Sequence, residues 1–285
     1  MHMEAHLHLA GYRFTPLAGL KELRTDLLAF CHGKALCGTI LLSEEGINFY
    51  IAGKPDAAGE LLEKLRSIPG LDGLTARRST SEKRPYDRMR VKIKREIIAF
   101  GIDGVNPGVH SSPKLSPRKL KEWLDEGRDI TLLDTRNNYE ILSGTFKGAV
   151  PAGIDHFREF PEAVRKLPSD WKSRPIVMFC TGGIRCEKAG PFMEREGFRN
   201  ILQLDGGILR YFEECGGAHF EGECFVFDQR VGLNEALEET ASILCPRCQM
   251  PVTVTDQAHS DYARGESCPH CTNKPIAEKQ DQEVG

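Results

Sequence analysis

Between residues 113 and 224, short apolar runs alternate with stretches of helical spacing, and this alternation constrains the fold more than any other feature. Residues 130–133, 176–179 and 201–204 read as strands, and residues 157–167, 186–196 and 207–214 as helices. A further helix is expected over 117–125. Ser116 supplies its N-cap, and Pro117 takes the first helical position, where a missing N–H leaves nothing unpaired. Alternation of this kind argues for a parallel sheet covered by helices on both faces. Right-handed crossovers then bring the carboxyl ends of the strands to one edge, where such sheets bind their ligands.

The flanking segments have different textures. Residues 1–103 suggest strands at 12–14, 39–42, 48–52 and in the region 91–100, with helices over 17–31 and 57–68. The order β-α-β-β-α-β is that of a ferredoxin-like split βαβ domain. A Gly-, Pro- and Ser-rich stretch at 103–113 reads as a linker. The expected division is therefore a ferredoxin-like α+β domain over 1–103, an α/β domain over 113–224 and a C-terminal extension over 225–285. A chain of 285 residues exceeds one average domain, and 40% hydrophobic with 28% charged residues is an ordinary globular composition. The net charge of -3 advertises no polyanionic partner, so one would have to be met by a local patch. No apolar run approaches the roughly 18 to 20 residues of a membrane span, and residues 1–10 lack the layout of a secretory signal. The expected address is the cytosol, where the ten cysteines would be mostly reduced.

The central chemical feature is Cys180-Thr-Gly-Gly-Ile-Arg185, entered directly from the strand Val177-Met-Phe179 and followed by a helix. A lone cysteine after a strand is ordinarily a packing residue. Here Gly182 and Gly183 let successive backbone N–H groups turn toward the sulfur. The following helix N-terminus adds partial positive charge and Arg185 a full one. With Thr181 and Ile184 completing the loop, the thiol pKa is expected to fall from ~8.5 into the range ~3.5–7.5. Cys180 is then the candidate nucleophile, and Arg185 with the loop amides would stabilise developing negative charge. Asp134 and Arg136 read as an ion pair at the loop edge. Cys186, at the first turn of the helix, reads equally as a resolving thiol or as a packing residue.

Two further constellations stand outside this segment. Between Arg77 and Arg95, nine basic residues face only Glu82 and Asp87. Within them Arg84, Arg88, Arg90, Lys92 and Lys94, the last three on one face of a strand, read either as a solvated charged face or as candidate contacts to the phosphate backbone of an RNA. Toward the C-terminus, Cys245-Pro-Arg-Cys248 and Cys268-Pro-His-Cys271 are separated by 19 residues. Two such knuckles supply four thiolates for a structural, tetrahedral Zn2+ with no open position. His270 is a weaker candidate ligand, and Cys31, Cys37, Cys215 and Cys224 read as packing residues.

Several of these motifs resemble a known family. Leu132-Leu-Asp134-Thr-Arg136, Tyr139-Glu140 and Gly144-Thr-Phe-Lys-Gly148-Ala149 are similar to the first rhodanese signature. The Cys180 loop resembles the second, with the six-residue length of sulfurtransferases. Cys180-Thr-Gly-Gly-Ile-Arg-Cys-Glu-Lys188, Asp205-Gly-Gly-Ile208 and Cys224-Phe-Val-Phe-Asp-Gln-Arg-Val231 together resemble the rhodanese-domain tRNA uridine hydroxylases, over about residues 44–231. One departure is that Glu45-Gly-Ile-Asn48 is followed by Phe49-Tyr50, where that family has Gly-Thr. The resemblance implies a ferredoxin-like domain ahead of a rhodanese domain. It also implies a tRNA partner and an oxidoreductase activity, the conversion of wobble uridine 34 to 5-hydroxyuridine with molecular oxygen as co-substrate. The rival readings are a plain sulfurtransferase with a persulfide on Cys180 and a non-catalytic RNA-binding adaptor. No flavin or nicotinamide fingerprint is visible, because the Gly182-Gly183 and Gly206-Gly207 pairs are too short and misplaced for a dinucleotide loop.

Overall fold

The computed structural model describes residues 6–271, which divide into two units between Ser111 and Ser112. In the first, β1 (His6–Phe14), α1 (Leu20–Gly33), β2 (Cys37–Ser43), β3 (Gly46–Gly53), α2 (Pro55–Arg66), β4 (Arg77–Ser81) and β5 (Met89–Ile93) follow one another. The sheet order is β4-β1-β3-β2-β5. Its first four strands pair antiparallel, as a ferredoxin-like domain requires, and β5 adds a fifth strand parallel to β2. Leu27 and Cys31 of α1 and Leu61, Leu62 and Leu65 of α2 recur at helical spacing. They cluster with Ile40, Leu42, Phe49 and Ile51 of the sheet. Burial of each such aliphatic or aromatic side chain is worth roughly 1.5–3 kcal/mol. Phe49, one of the residues that departs from the family pattern, is fully buried in this core.

Two expectations for this unit need correction. The strand expected across 91–100 stops at Ile93, so Lys94 lies just beyond the strand face shared by Arg90 and Lys92. The reason is that side chains take over from the ladder. Ser43 Oγ donates to the Arg95 carbonyl at 2.7 Å, Glu45 Oε1 accepts from the Ile97 N–H at 2.7 Å, and Asn48 Nδ2 donates to the Ile97 carbonyl at 3.0 Å. Conversely, Arg77–Ser81 forms a strand against β1 that carries no apolar alternation, so hydrophobic patterning could not reveal it.

The second unit begins with β6 (Lys114–Leu115), α3 (Pro117–Asp125), β7 (Thr131–Asp134), α4 (Asn138–Ile141), β8 (Gly144–Phe146) and β9 (Val150–Pro151). A 3-10 turn (Phe157–Glu159), α5 (Phe160–Arg165), β10 (Pro175–Phe179), α6 (Ile184–Arg195), β11 (Asn200–Leu204) and α7 (Gly207–Cys215) come next. Five short strands and a short helix follow: β12 (Phe220–Gly222), β13 (Cys224–Phe225), β14 (Gly232–Leu233), β15 (Ile243–Leu244), β16 (Pro251–Val252) and α8 (Val254–Gln257). The main sheet has the order β6-β11-β10-β7-β9, and every pair in it is parallel.

As expected, Ser116 caps α3, accepting from the Lys119 N–H at 3.3 Å, with Pro117 in the first turn. The single helix expected over 157–167 divides into a 3-10 turn and a short α-helix, with Pro161 in the first turn of the latter. The central strand β10 is buried on both faces. Val177 and Phe179 pack with Leu120 of α3 and Ile208, Tyr211 and Phe212 of α7. On the opposite face, Gly190 of α6 approaches so closely that a Cβ there would lie 3.2 Å from Met178 and 2.1 Å from the Ser112 hydroxyl.

Phe146 is the hub of the α7-side core. Its ring lies edge-on to Phe179 at 5.0 Å, Tyr211 at 4.7 Å and Phe220 at 5.3 Å. Phe146→Ala is expected to destabilise this unit by about 3–5 kcal/mol. Urea unfolding followed by tryptophan fluorescence checks this, and an unchanged midpoint would show that the ring cluster contributes little.

Candidate active site

Strand β10 carries Cys180 to the carboxyl edge of the sheet, next to the end of β7. The Phe179 carbonyl accepts from both the N–H and the hydroxyl of Thr135, each at 3.0 Å, which fixes where the strand ends. Gly183 then adopts φ 99 and becomes the N-cap of α6. That geometry, closed to most L side chains, starts the helix at Ile184, two residues earlier than expected. Arg185 therefore sits in the first helical turn and not in the loop before it.

The sulfur of Cys180 accepts from the Gly183 N–H at 3.0 Å. The loop is also held from behind. Ile208 and Leu209 at the start of α7 donate their N–H groups to the Cys180 and Thr181 carbonyls at 3.0 and 3.1 Å. This close approach requires glycine at 207, which has φ 66 and where a Cβ would lie 2.4 Å from the Cys180 carbonyl oxygen.

Arg185 is locked by Glu140. Its Nη1 and Nη2 reach the two carboxylate oxygens at 2.5 and 2.7 Å, and neither side chain is more than 6% exposed. Glu140 also accepts from the Thr181 hydroxyl at 3.2 Å and from the Asn137 N–H at 3.1 Å. The Asp134–Arg136 ion pair is present as expected, with Nη2 to Oδ2 at 2.6 Å and both groups buried. Arg136 continues to the Gly144 carbonyl at 2.7 Å, and Thr145 donates to Asp134 at 2.8 Å.

These contacts decide the state of the thiol. Burial opposes the thiolate of Cys180. A hydrogen bond from the Cys186 thiol, the charge of Arg185 and the N–H groups of Arg185 and Gly183 outweigh it, bringing the pKa down to about 6. Cys186 moves the opposite way. Burial first, then its hydrogen bond to Cys180 and the charge of the thiolate, push it well above the ordinary thiol range. At neutral pH the pair is one thiolate and one thiol. Cys180 is itself only 1% exposed.

Above the site lies a residue that sequence reasoning did not single out. Phe227 is 45% exposed, and the Arg185 guanidinium sits 5.9 Å from its ring centroid. Phe225 supports it edge-on at 5.2 Å and meets Tyr139 at 5.5 Å.

Comparison with known proteins agrees with this architecture. A UPF0176 acylphosphatase-like domain model matches residues 7–97, and a rhodanese-like domain model matches residues 116–214. A protein of Burkholderia ambifaria named tRNA uridine(34) hydroxylase is 43% identical over 280 residues, covering 95% of this chain and 99% of the relative. The chain belongs to the tRNA uridine(34) hydroxylase family. Members from Cupriavidus metallidurans and Teredinibacter turnerae carry the same name. The first is 42% identical over 272 residues, covering 94% of this chain and 96% of its own. The second is 40% identical over 280 residues, covering 98% and 87%.

The four C-terminal cysteines converge as their spacing implies. Cys245 follows β15 in a tight knuckle, with the Gln249 N–H donating to the Cys245 carbonyl at 2.8 Å and Gln249 at φ 60. The sulfurs of Cys245, Cys248, Cys268 and Cys271 all lie within 4.8 Å of one another. The separations of 3.8, 3.6 and 3.7 Å between particular pairs match the ~3.8 Å edge of a tetrahedron with metal–sulfur bonds near 2.3 Å. This cluster could hold a metal ion. His270 lies outside the sulfur cluster, with Nε2 3.5 Å from Asp256.

The basic candidates lie in the first unit. Arg84 and Arg88 are exposed, and Arg90, Lys92 and Lys94 are half-buried. None of the five forms an ion pair with an acid among the described residues. Of the cysteines read as packing residues, Cys31, Cys37 and Cys224 are buried and Cys215 is partly so. No helix among the described residues is long and apolar enough to cross a membrane.

The depressed pKa of Cys180 is directly measurable. Its alkylation by iodoacetamide, read at that residue by mass spectrometry, is expected to rise through a midpoint near pH 6. An ordinary thiol rises near ~8.5. A midpoint at the ordinary value would mean that the loop does not stabilise the thiolate.

Proposed function

We propose that this chain hydroxylates the wobble uridine 34 of tRNA at C5, with molecular oxygen as co-substrate and Cys180 as the reactive thiolate. The observation that carries this reading is the buried thiolate, held by Arg185 and the Gly183 N–H, in a chain of this family. A thiolate at this position is suited to add to C6 of the uracil ring. Addition shifts negative charge toward C5 and O4 and makes C5 nucleophilic toward oxygen. The loop of Thr181, Gly182, Gly183 and Ile184 shapes the cradle, and Arg185 offsets the charge as it develops. After oxygen transfer, loss of the C5 proton expels Cys180 and restores the aromatic ring.

A uracil can reach this sulfur only if it leaves the stack of the anticodon loop. Exposed Phe227 over Arg185 offers a face on which an extruded base can stack. For the polynucleotide itself, we assign Arg84, Arg88, Arg90, Lys92 and Lys94 of the segment 1–103 as phosphate contacts. The rhodanese segment 113–224 carries the chemistry. The extension 225–285, whose last residues lie outside those described, contributes a structural Zn2+ bound by Cys245, Cys248, Cys268 and Cys271. Four thiolates fill the coordination sphere, so the metal's contribution is to fold the knuckles together. The proposed setting is the cytoplasm, where tRNA is met.

The deciding experiment is mass spectrometry of wobble nucleosides from cells lacking the protein, complemented with wild type or Cys180→Ala. 5-Hydroxyuridine and its derivatives are expected to disappear in the deletion and to return only with wild type. If 5-hydroxylation is unaffected while 2-thiouridine falls, the loop carries a persulfide and the protein is a sulfurtransferase. If neither changes and Cys180→Ala still binds tRNA as well as wild type, the adaptor reading replaces both. For the metal, one equivalent of zinc per chain is expected by elemental analysis, lost together with the fold of the knuckles on Cys245→Ser. Stoichiometric iron in its place would overturn the zinc assignment.

A further inference from the structure

Hydroxylation by molecular oxygen places one oxygen atom in the product and reduces the other to water. That requires two electrons and two protons beyond those of the uracil. The oxidation of two thiols to a disulfide releases the same quantity. The site holds two thiols where such a couple would be used. Cys180 and Cys186 are both buried, and one turn of structure joins them: the Cys180 sulfur accepts from the N–H of Gly183, the N-cap of α6, Cys186 lies in the first turn of that helix, and Thr135 Oγ1 donates to the Phe179 carbonyl at 3.0 Å and lies 3.6 Å from the Cys186 sulfur. Their distinct environments divide the labour: Cys180 faces Arg185 and the Gly183 N–H as the nucleophile, and Cys186 keeps its proton.

We infer that Cys180 and Cys186 form a dithiol that supplies the two electrons of the hydroxylation and leaves the reaction as a Cys180–Cys186 disulfide. The inference rests on the hydroxylase reading above. The steps balance as follows. The Cys180 thiolate adds to C6, and the carbanion at C5 bonds to oxygen, which on protonation gives a C5 hydroperoxide. The Cys186 sulfur attacks the terminal oxygen and breaks the O–O bond, leaving a C5 hydroxyl and a sulfenic acid on Cys186. Loss of the C5 proton breaks the C6–S bond, releasing 5-hydroxyuridine and the Cys180 thiolate. That thiolate displaces hydroxide from the sulfenic acid, forming the disulfide and, with one proton, water. In sum, uridine, one oxygen molecule and two thiols give 5-hydroxyuridine, water and one disulfide. An external dithiol reductant then restores the pair for the next cycle.

A single-turnover experiment on the full chain tests this. Protein is reduced with a phosphine, freed of reductant under nitrogen, and mixed with an anticodon stem-loop bearing wobble uridine and with 18O-labelled oxygen. The expected result is one equivalent of labelled 5-hydroxyuridine per chain, after which the reaction stops. A tryptic digest should then contain two peptides joined through Cys180 and Cys186, which cleavage after Arg185 makes separate. Added dithiol should restart turnover. Cys186→Ser and Cys186→Ala should each give less than about one-tenth of the burst, while Cys180 in both still alkylates at least as fast as an ordinary thiol. If product accumulates beyond one equivalent with both thiols intact, or the variants give the full burst, the electrons come from elsewhere and the inference is overturned while the hydroxylase reading stands. If wild type makes no labelled product even with excess dithiol, and thiosulfate leaves a persulfide on Cys180, the hydroxylase reading fails and the electron assignment fails with it.

Discussion

The buried ion pair between Arg185 and Glu140 is the contact on which the site depends. A guanidinium and a carboxylate removed from water each carry a desolvation penalty of several kcal/mol, tolerable only when the partner is in place. Here both Arg185 Nη atoms and both Glu140 oxygens are engaged. The remaining capacity of the carboxylate is used by Thr181 and Asn137. One side chain from α4 thus fixes the first turn of α6, the loop that precedes it and its own helix start. Leaving Arg185 without this partner would expose an uncompensated charge in the interior, an imbalance of about 3–5 kcal/mol. The thiolate benefits indirectly, because a fixed guanidinium stabilises an anion without reorganising at the moment of reaction.

Two helices act on the Cys180 loop from different sides. The start of α6 directs N–H groups at the sulfur, whereas the start of α7 directs them at the carbonyls of Cys180 and Thr181. The first set stabilises charge and the second holds the backbone that presents it. Asp134 and Arg136 serve the same end at the neighbouring strand, joining β7 to the Gly144 turn. Reactivity is therefore a property of the whole carboxyl edge of the sheet. At 1% exposure, Cys180 meets little from bulk solvent, so selectivity lies in what can be admitted to it.

Much of this was legible in the sequence. The strand–Cys180 loop–helix unit, the Ser116–Pro117 helix start and the paired Cys-x2-Cys knuckles are local patterns, in which the residues that interact are neighbours in the chain. Contacts between distant segments were not legible. Tyr139-Glu140 could be quoted as part of a signature, but nothing local tells that Glu140 meets Arg185, 45 residues away. Gly207 stood at the start of an expected helix, and only the fold shows that a Cβ there would strike the Cys180 carbonyl. Phe227 stood in the sequence only as a member of the run 224–231, and only the fold shows that its exposed ring lies over Arg185. The strand β4 was invisible because its sequence is polar throughout, and β5 ended early because Ser43, Glu45 and Asn48 satisfy the backbone that a longer ladder would have paired.

The basic residues of the first unit also have a second physical meaning. β4 and β5 are the two outer strands of its sheet, and each leaves one backbone edge without a neighbouring strand in that sheet. Such an edge is a template on which another polypeptide can add a strand. β4 carries Arg77 and Arg78, and β5 carries Arg90 and Lys92, so both edges present like charge to any second copy of the chain. Like charge on both outer strands opposes pairing of two copies edge to edge. Neutralising these residues would remove that repulsion, so a variant made to probe any other role of theirs could aggregate for this reason alone.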